Sequence, residues 1–254
     1  VHLAALKAAG NSMTEPEKYA NHNISGTIQL LNAATESGVH YVIFSSTAAV
    51  YGNPQYIPMD EEHPTNPSNF YGYTKLAIEE LLGWYAQLKG VRFASLRYFN
   101  AAGYDVDGKI KGLESEPNNL LPIVMEAVID KRPFVEVFGT DYDTPDGSCI
   151  RDYIHVNDLA DGHVRALEYL TRETYNPILN LGTSNGMSVL EILEHTKNLS
   201  HTNIDVRFGS RRPGDPAIVL AKVTKAKSLL GWEAKQSDPK TLINSMLNVY
   251  RANR

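Results

Sequence analysis

From Tyr41 the chain runs apolar through Phe44, then turns to hydroxyls at Ser45, Ser46 and Thr47. A short unbroken apolar run of this kind reads as a strand buried on both faces, here 41–45. Arg92–Tyr98 and Ile178–Leu181 read as strands in the same way. Helical spacing takes over between them. Pro16 in a first turn, Ile24, Ile28, Leu31 and Ala34/Thr35 on one face, and Gly38 as the stop predict a helix over 16–37. A second helix is predicted over Phe70–Lys89, stopped by Gly90. Further helices are predicted over 120–131, 159–172, 188–199 (opened by the capping box Ser188/Glu191) and Thr224–Leu230. A last one starts at Pro239, with Leu242, Ile243, Met246, Leu247 and Tyr250 on one face. Strands are predicted at 134–138 and 205–208. Strands alternating with helices of a dozen residues imply parallel crossovers, hence an α/β fold with a doubly wound parallel sheet.

Beyond Asn100 the rhythm changes. Residues 101–118 are irregular and contain Gly103, Gly108 and Gly112, a length at which loops are usually functional or disordered. The loop 139–150 holds Asp141, Asp143 and Asp146, but without calcium-loop spacing or a following bidentate glutamate, so it reads as solvated. The expected division is 1–99 as one domain and 100–254 as a smaller α/β domain, with about 151–185 returning to the first.

Composition excludes several classes. Apolar residues make up 43% and charged residues 21% of the 254, as in a globular protein. A net charge of −5 argues against nucleic acid or an anionic membrane as the main partner. The single cysteine, Cys149, excludes an internal disulfide and a Cys-rich metal site and fits a cytoplasmic setting. No metal is expected, and no apolar run approaches the length of a bilayer span.

The chemistry is concentrated in the second helix. Tyr71 and Lys75 lie four residues apart and share a helix face, one turn apart, behind a strand that ends in hydroxyls. An ammonium near a phenol favours the phenolate, so Lys75 is expected to lower the pKa of Tyr71, with a strand-end hydroxyl sharing the substrate's proton. A second Tyr-x-x-x-Lys match, Tyr85 to Lys89, has no hydroxyl-tipped strand leading into it and reads as packing plus solvated charge. In the polar run 151–158, His155 reads as a hydrogen-bonded core residue. Arg151, taken with the distant pair Arg211-Arg212, reads either as a two-sided phosphate clamp or as surface arginines. No glycine fingerprint follows a first strand, which fits either a dinucleotide fold lacking its first strands or a chain that binds no dinucleotide. The opening Val1-His2-Leu3-Ala4-Ala5 has no initiator methionine and reads as the tail of a buried strand, so the expectation is a fragment.

Seven segments occur in one order: 1–7 (VHLAALK), 45–52 (SSTAAVYG), 71–75 (YGYTK), 96–103 (LRYFNAAG), 117–122 (PNNLLP), 151–156 (RDYIHV) and 211–215 (RRPGD). Together they make the chain resemble the extended short-chain dehydrogenase/reductase family, and within it the nucleotide-sugar 4-epimerases. The resemblance implies a Rossmann-like NAD-binding fold, here without the strands that carry its glycine motif, and interconversion of UDP-galactose and UDP-glucose through a 4-keto intermediate. Tyr71 would be the base at the sugar 4-hydroxyl, Lys75 would hold the nicotinamide ribose, and Thr47 would bridge tyrosine and sugar. Leu3, Ala4, Lys7, Asn23 and Tyr98, with Tyr71 and Lys75, match cofactor contacts. Asn100, Asn119, Leu120, Phe138, Arg151, Tyr153, Arg212, Asp215 and Val219, with Thr47, match UDP-sugar contacts. The family's dehydratases carry an Asp-Glu pair after this threonine, and Ala48-Ala49 supply neither acid nor base, which disfavours dehydration. In the epimerases it resembles, a bulky aromatic at the position of Val219 restricts the pocket at the sugar's 2-position and a smaller residue opens it; valine is intermediate to small, so the resemblance implies room for some N-acetylhexosamine epimerisation as well. A homodimer through helices near 16–37 and 70–89 is implied as well. The fragment itself is expected to be weakly active or inactive. The rival readings are another nucleotide-sugar epimerase or decarboxylase of the family, and a non-catalytic nucleotide sensor.

Overall fold

The computed structural model describes residues 1–212 and 214–253 and divides into two compact units. The first comprises Val1–Phe99, Asp161–Leu181 and Lys222–Trp232; the second comprises Asn100–Ala160, Gly182–Ala221 and Glu233–Arg254. The return to the first unit therefore starts at 161 and not near 151, and a further segment, 222–232, joins it. The reason lies in the strand Ile150–His155, which hydrogen-bonds to strands of the second unit.

The first unit is built on three parallel strands in the order Tyr41–Thr47, Arg92–Tyr98, Ile178–Leu181. The register pairs Ser45 with Leu96, Ser46 with Arg97 and Thr47 with Tyr98, so the hydroxyl cluster and Tyr98 finish level at one end of the sheet. The strand 41–47 runs two residues further than its apolar pattern predicts, because Ser46 and Thr47 keep pairing after the side chains turn polar. On its other side it is bridged by His2, which donates from its backbone N to Ile43 O at 2.8 Å. The chain's opening residues thus form a single bridge there, with Leu3 and Ala4 exposed.

Leu31, Val42, Phe44, Ile78, Leu82, Val91 and Phe93 pack between sheet and helices. Burying each side chain of this kind stabilises the fold by about 1.5–3 kcal/mol, before the entropy of ordering it is subtracted. The expected helix 16–37 forms, but in pieces: Pro16–Tyr19, a π-helical turn Ala20–Ser25, then Gly26–Glu36. The wider turn is where Asn23 goes inward, at 1% exposure. Phe70–Lys89 forms over the predicted span, with the Asn69 side chain accepting from Gly72 N at 2.9 Å and Gly90 in the left-handed conformation.

The second unit has a sheet in the order Asn100–Ala102, Ile150–His155, Gly186–Ser188, with Ile218–Val219 also paired to the second of these, and a two-stranded parallel sheet of Val135–Phe138 and Val206–Gly209. Its core packs Leu121, Val124 and Met125 of one helix against Ile192 and Leu193 of another and Leu242, Ile243, Met246, Leu247 and Tyr250 of the last. The capping box at Ser188 forms as predicted. The loop 139–150 is more ordered than a solvated acidic loop: Asp146 Oδ1 accepts from Ser148 N and Oγ at 2.8 Å, and its other oxygen accepts from the Ser188 hydroxyl. Among the described residues there is no group of acidic, His or Cys side chains that could hold a metal, and no helix long and apolar enough to cross a membrane.

Candidate active site

In the first unit the predicted reactive side chains come together. Tyr71 opens the Phe70–Lys89 helix half-buried, and its phenol shares a hydrogen bond with Thr47 at the end of the first strand. Thr47 is held in turn: its Oγ1 accepts from Ala49 N at 3.2 Å and caps the short 3-10 turn Ala48–Val50. Gly72 is what lets the helix approach that turn, since a Cβ there would sit 2.5 Å from Ala49 O. Tyr71's own backbone N donates to the buried Ser12 Oγ at 3.0 Å.

Lys75 is 3% exposed, and its Nζ donates to Ser45 O at 2.8 Å. Burial without a carboxylate partner brings its pKa down to about 8. The ammonium stands 4.8 Å from the centroid of the Phe44 ring and 6.0 Å from that of Tyr71. At that reach it does not set the phenol's charge. Burial pushes the Tyr71 pKa up, and the bond from Thr47 pulls against it. The expectation that Lys75 lowers the Tyr71 pKa is therefore corrected: burial is the largest influence on the phenol and raises its pKa, with the ammonium 6.0 Å from the ring centroid.

Tyr98, at the end of the neighbouring strand, shares a hydrogen bond of 3.1 Å with His163 Nε2, and burial raises its pKa to about 12. Asn23 is fully engaged: Oδ1 accepts from Leu6 N at 2.9 Å, and Nδ2 donates to Leu6 O at 3.1 Å and Thr74 Oγ1 at 3.0 Å. It thus fixes the segment that presents the exposed Leu3, Ala4 and Lys7 instead of offering its own amide.

In the second unit, sheet register gathers a second group. Asn100 lies opposite Tyr153 and Arg151 opposite Val219. Arg151 is half-buried, and its Nη2 donates to Asp215 Oδ1 at 2.5 Å, which aims the guanidinium and balances its charge. Arg212 is exposed and stacks on Phe138, its guanidinium carbon 3.9 Å from the ring centroid. Asn119 and Leu120 stand at the start of the helix Leu120–Val128. Arg211, the other half of the sequence pair, is taken by Asp141 at 2.7 Å.

Sequence reasoning passed over Asp152, which lies between Arg151 and Tyr153 at 0% exposure. Its carboxylate accepts from Thr183 N and Oγ1, Ser184 N and Ala221 N, at 2.7 to 3.1 Å. It pins the strand that carries Arg151. The signal was an ionisable residue inside an apolar alternation, which is seldom buried without such partners.

Comparison with known proteins decides the family. The model of the NAD dependent epimerase/dehydratase family matches residues 1–182. The chain belongs to that family. It is 42% identical over 251 residues to a UDP-glucose 4-epimerase of Halalkalibacterium halodurans, covering 99% of this chain and 75% of that protein. Among solved structures of the family, it resembles the UDP-glucose 4-epimerase from Brucella ovis in complex with NAD, with 41% identity, 98% of this chain and 77% of that one covered, and a TM-score of 0.96. It also resembles the UDP-Glc/GlcNAc 4-epimerase from Campylobacter jejuni, with 36% identity, 99% and 76% covered, and a TM-score of 0.85.

Proposed function

We propose that the protein interconverts UDP-galactose and UDP-glucose by inverting C4 of the sugar with NAD as cofactor. The observation that carries this reading is the Tyr71–Thr47 pair with the buried Lys75 beside it. Tyr71 takes the proton from the 4-hydroxyl and returns it. Thr47, already bonded to the phenol, offers its hydroxyl to the same sugar oxygen and keeps the proton's path short. The chain's residues fit the nicotinamide-ribose end of the cofactor: a buried ammonium whose one hydrogen bond among the described residues goes to a backbone oxygen keeps donors for a diol. When bound, NAD supplies a hydride acceptor and donor for C4 and, oxidised, a positive charge that complements a phenolate. Leu3, Ala4, Lys7 and Tyr98 are assigned to its contacts, with Asn23 acting through Leu6.

Arg151 and Arg212 hold the diphosphate, the first through a fork aimed by Asp215 and the second from its platform on Phe138. Asn100, Asn119, Leu120 and Tyr153 line the remainder of the UDP-sugar site, and Val219 sits at the 2-substituent. Ala48-Ala49 leave dehydration without an acid or a base. Self-association is part of the reading. Leu30, Trp84 and Leu88, exposed by 45%, 58% and 68%, lie on two helices joined by the bond from Tyr85 to Asn32. We place the protein in the cytosol, where a lone buried thiol at Cys149 stays reduced.

The test is a coupled assay for UDP-glucose formed from UDP-galactose with NAD supplied. It is run on residues 1–254 and on a version extended at its N-terminus by the glycine-motif segment of a relative. Turnover that disappears in Tyr71→Phe supports the reading. No turnover in either form, with turnover of another UDP-sugar, moves the assignment to a sibling enzyme.

A further inference from the structure

The strands and helix that carry the proposed reactive side chains also hold a buried ion pair that the reaction does not touch. Glu79 and Arg97 are each 4% exposed. Arg97 donates from Nε to Glu79 Oε1 at 3.0 Å and from Nη2 to Oε2 at 2.6 Å, and Ser46 Oγ donates to Oε1 at 2.5 Å. The Arg97 guanidinium carbon lies 4.9 Å from the Tyr51 ring centroid. Tyr51 is anchored in its turn, its hydroxyl donating to Asn180 Oδ1 at 2.6 Å, on the third strand of the sheet.

A pair like this is a poor way to gain stability. Desolvating two charges costs about as much as their attraction returns, and apolar replacements of similar size are often neutral or stabilising. Its placement suggests another use. Glu79 is one helical turn beyond Lys75. Ser46 sits between Ser45, whose carbonyl holds Lys75, and Thr47, which bonds Tyr71. Arg97 precedes Tyr98 and is in register with Ser46. The three partners belong to the three elements that carry the reactive side chains, and each is next in chain, or one turn away, to one of them. On the strands each anchor is the immediate chain neighbour of the residue it would hold: Ser46 of Ser45 and Thr47, Arg97 of Tyr98.

We propose that Ser46, Glu79 and Arg97 are positioning residues that lock the Thr47 hydroxyl and the Lys75 ammonium against Tyr71. The proposal rests on the functional reading above. Without the lock, the strand end and the helix can slide relative to each other, and a displacement of about 1 Å in such a site can cost a hundredfold in rate.

Two variants test it. Ser46→Ala removes one hydroxyl and leaves the ion pair; the double variant Glu79→Met/Arg97→Met replaces both charges with apolar side chains. Both are compared with the parent by [13Cζ]tyrosine NMR, with the Tyr71 resonance assigned through Tyr71→Phe. This readout requires neither turnover nor cofactor. The Tyr71 resonance is expected to move in both variants at pH 8, and its titration to shift to higher pH as the Thr47 hydrogen bond weakens, while the thermal midpoint of Ser46→Ala stays within a few degrees of the parent. In whichever form of the enzyme turns over, kcat is expected to fall about tenfold or more with KM for UDP-galactose within about twofold, because orientation and not binding is lost. A folded Ser46→Ala with the parent's Tyr71 resonance and titration overturns the proposal, whether or not the double variant folds. Loss of turnover in the parent itself bears on the epimerase reading alone, because the resonance reports the lock independently.

Discussion

At the scale of single residues, Lys75 sets stability against chemistry. Its pKa of about 8 lies below that of an exposed lysine, near 10.5. Between those values the unfolded chain holds a proton that the folded chain has released, so stability contributed by this group rises with pH across that window, and the full cost of the buried charge is felt below pH 8. Lys75→Met is therefore expected to be more stable than the parent at pH 7 by roughly 1–2 kcal/mol, after allowing for the lost bond to Ser45 O, and inactive as an epimerase. Urea unfolding at pH 7 and pH 9.5 should show the difference shrinking at the higher value. Taking the difference between the two proteins removes the tyrosines, whose raised pKa values act in the opposite direction above pH 10. A constant gap at both pH values would mean that Lys75 keeps its proton throughout. Val219 is the other residue whose size carries a consequence. If it opens the pocket at the sugar's 2-position, the enzyme turns over UDP-N-acetylglucosamine, and Val219→Tyr is expected to lower that activity tenfold or more with UDP-glucose turnover little changed. Equal effects on both substrates would remove Val219 from specificity.

Elements decide how the site is assembled, and Gly72 is the clearest case. The added methyl of Gly72→Ala would stand 2.5 Å from Ala49 O, a backbone atom in the turn that follows Thr47, so helix and turn must separate. Separation stretches the bond between Thr47 and Tyr71. Activity is expected to fall at least tenfold and the thermal midpoint by several degrees, although alanine is the better helix former. An active, equally stable variant would show that the turn can give way at no cost. This contact was not legible in the sequence, where Gly72 is only the second letter of YGYTK; the helix that contains it was, because its stop at Gly90 is a local signal. The hydroxyl-tipped strand and the Tyr71–Lys75 spacing were legible for the same reason. The strands Asn100–Ala102, Gly186–Ser188 and Ile218–Val219 were missed, since two or three residues carry no period and exist only by pairing with Ile150–His155. The π-helical turn Ala20–Ser25 and the ordering of the loop by Asp146 also depend on partners distant in the chain: Thr74 for Asn23, and Ser188 for the aspartate. Spacing could bring Tyr71 and Lys75 to one face, but not show that the lysine would turn to Ser45 O and that burial would govern the phenol.

For the whole molecule, the surface of greatest consequence is the outer face of the helix pair of the first unit. Leu30 comes from Gly26–Glu36, and Trp84 and Leu88 from Phe70–Lys89. The internal faces of the same helices are spent on the sheet through Leu31, Ile78 and Leu82. Apolar side chains on the opposite face are therefore not part of this chain's own core, and a tryptophan 58% exposed gives up burial that another surface could provide. Two copies meeting along these helices would bury the face in a two-fold, self-complementary contact, the commonest arrangement of homo-oligomers. The same helix carries Tyr71 and Lys75 towards its start, so the proposed dimer contact and the proposed chemistry share one rigid element without sharing residues. Trp84→Lys together with Leu88→Glu is expected to convert a dimer to a monomer in sedimentation at micromolar concentration. Because the substituted positions are exposed, the unfolding free energy of the separated chain should change by less than about 1 kcal/mol beyond the loss of association itself. Unaltered sedimentation of a folded double variant would remove this face from assembly, and a parent that sediments as a monomer would remove the dimer.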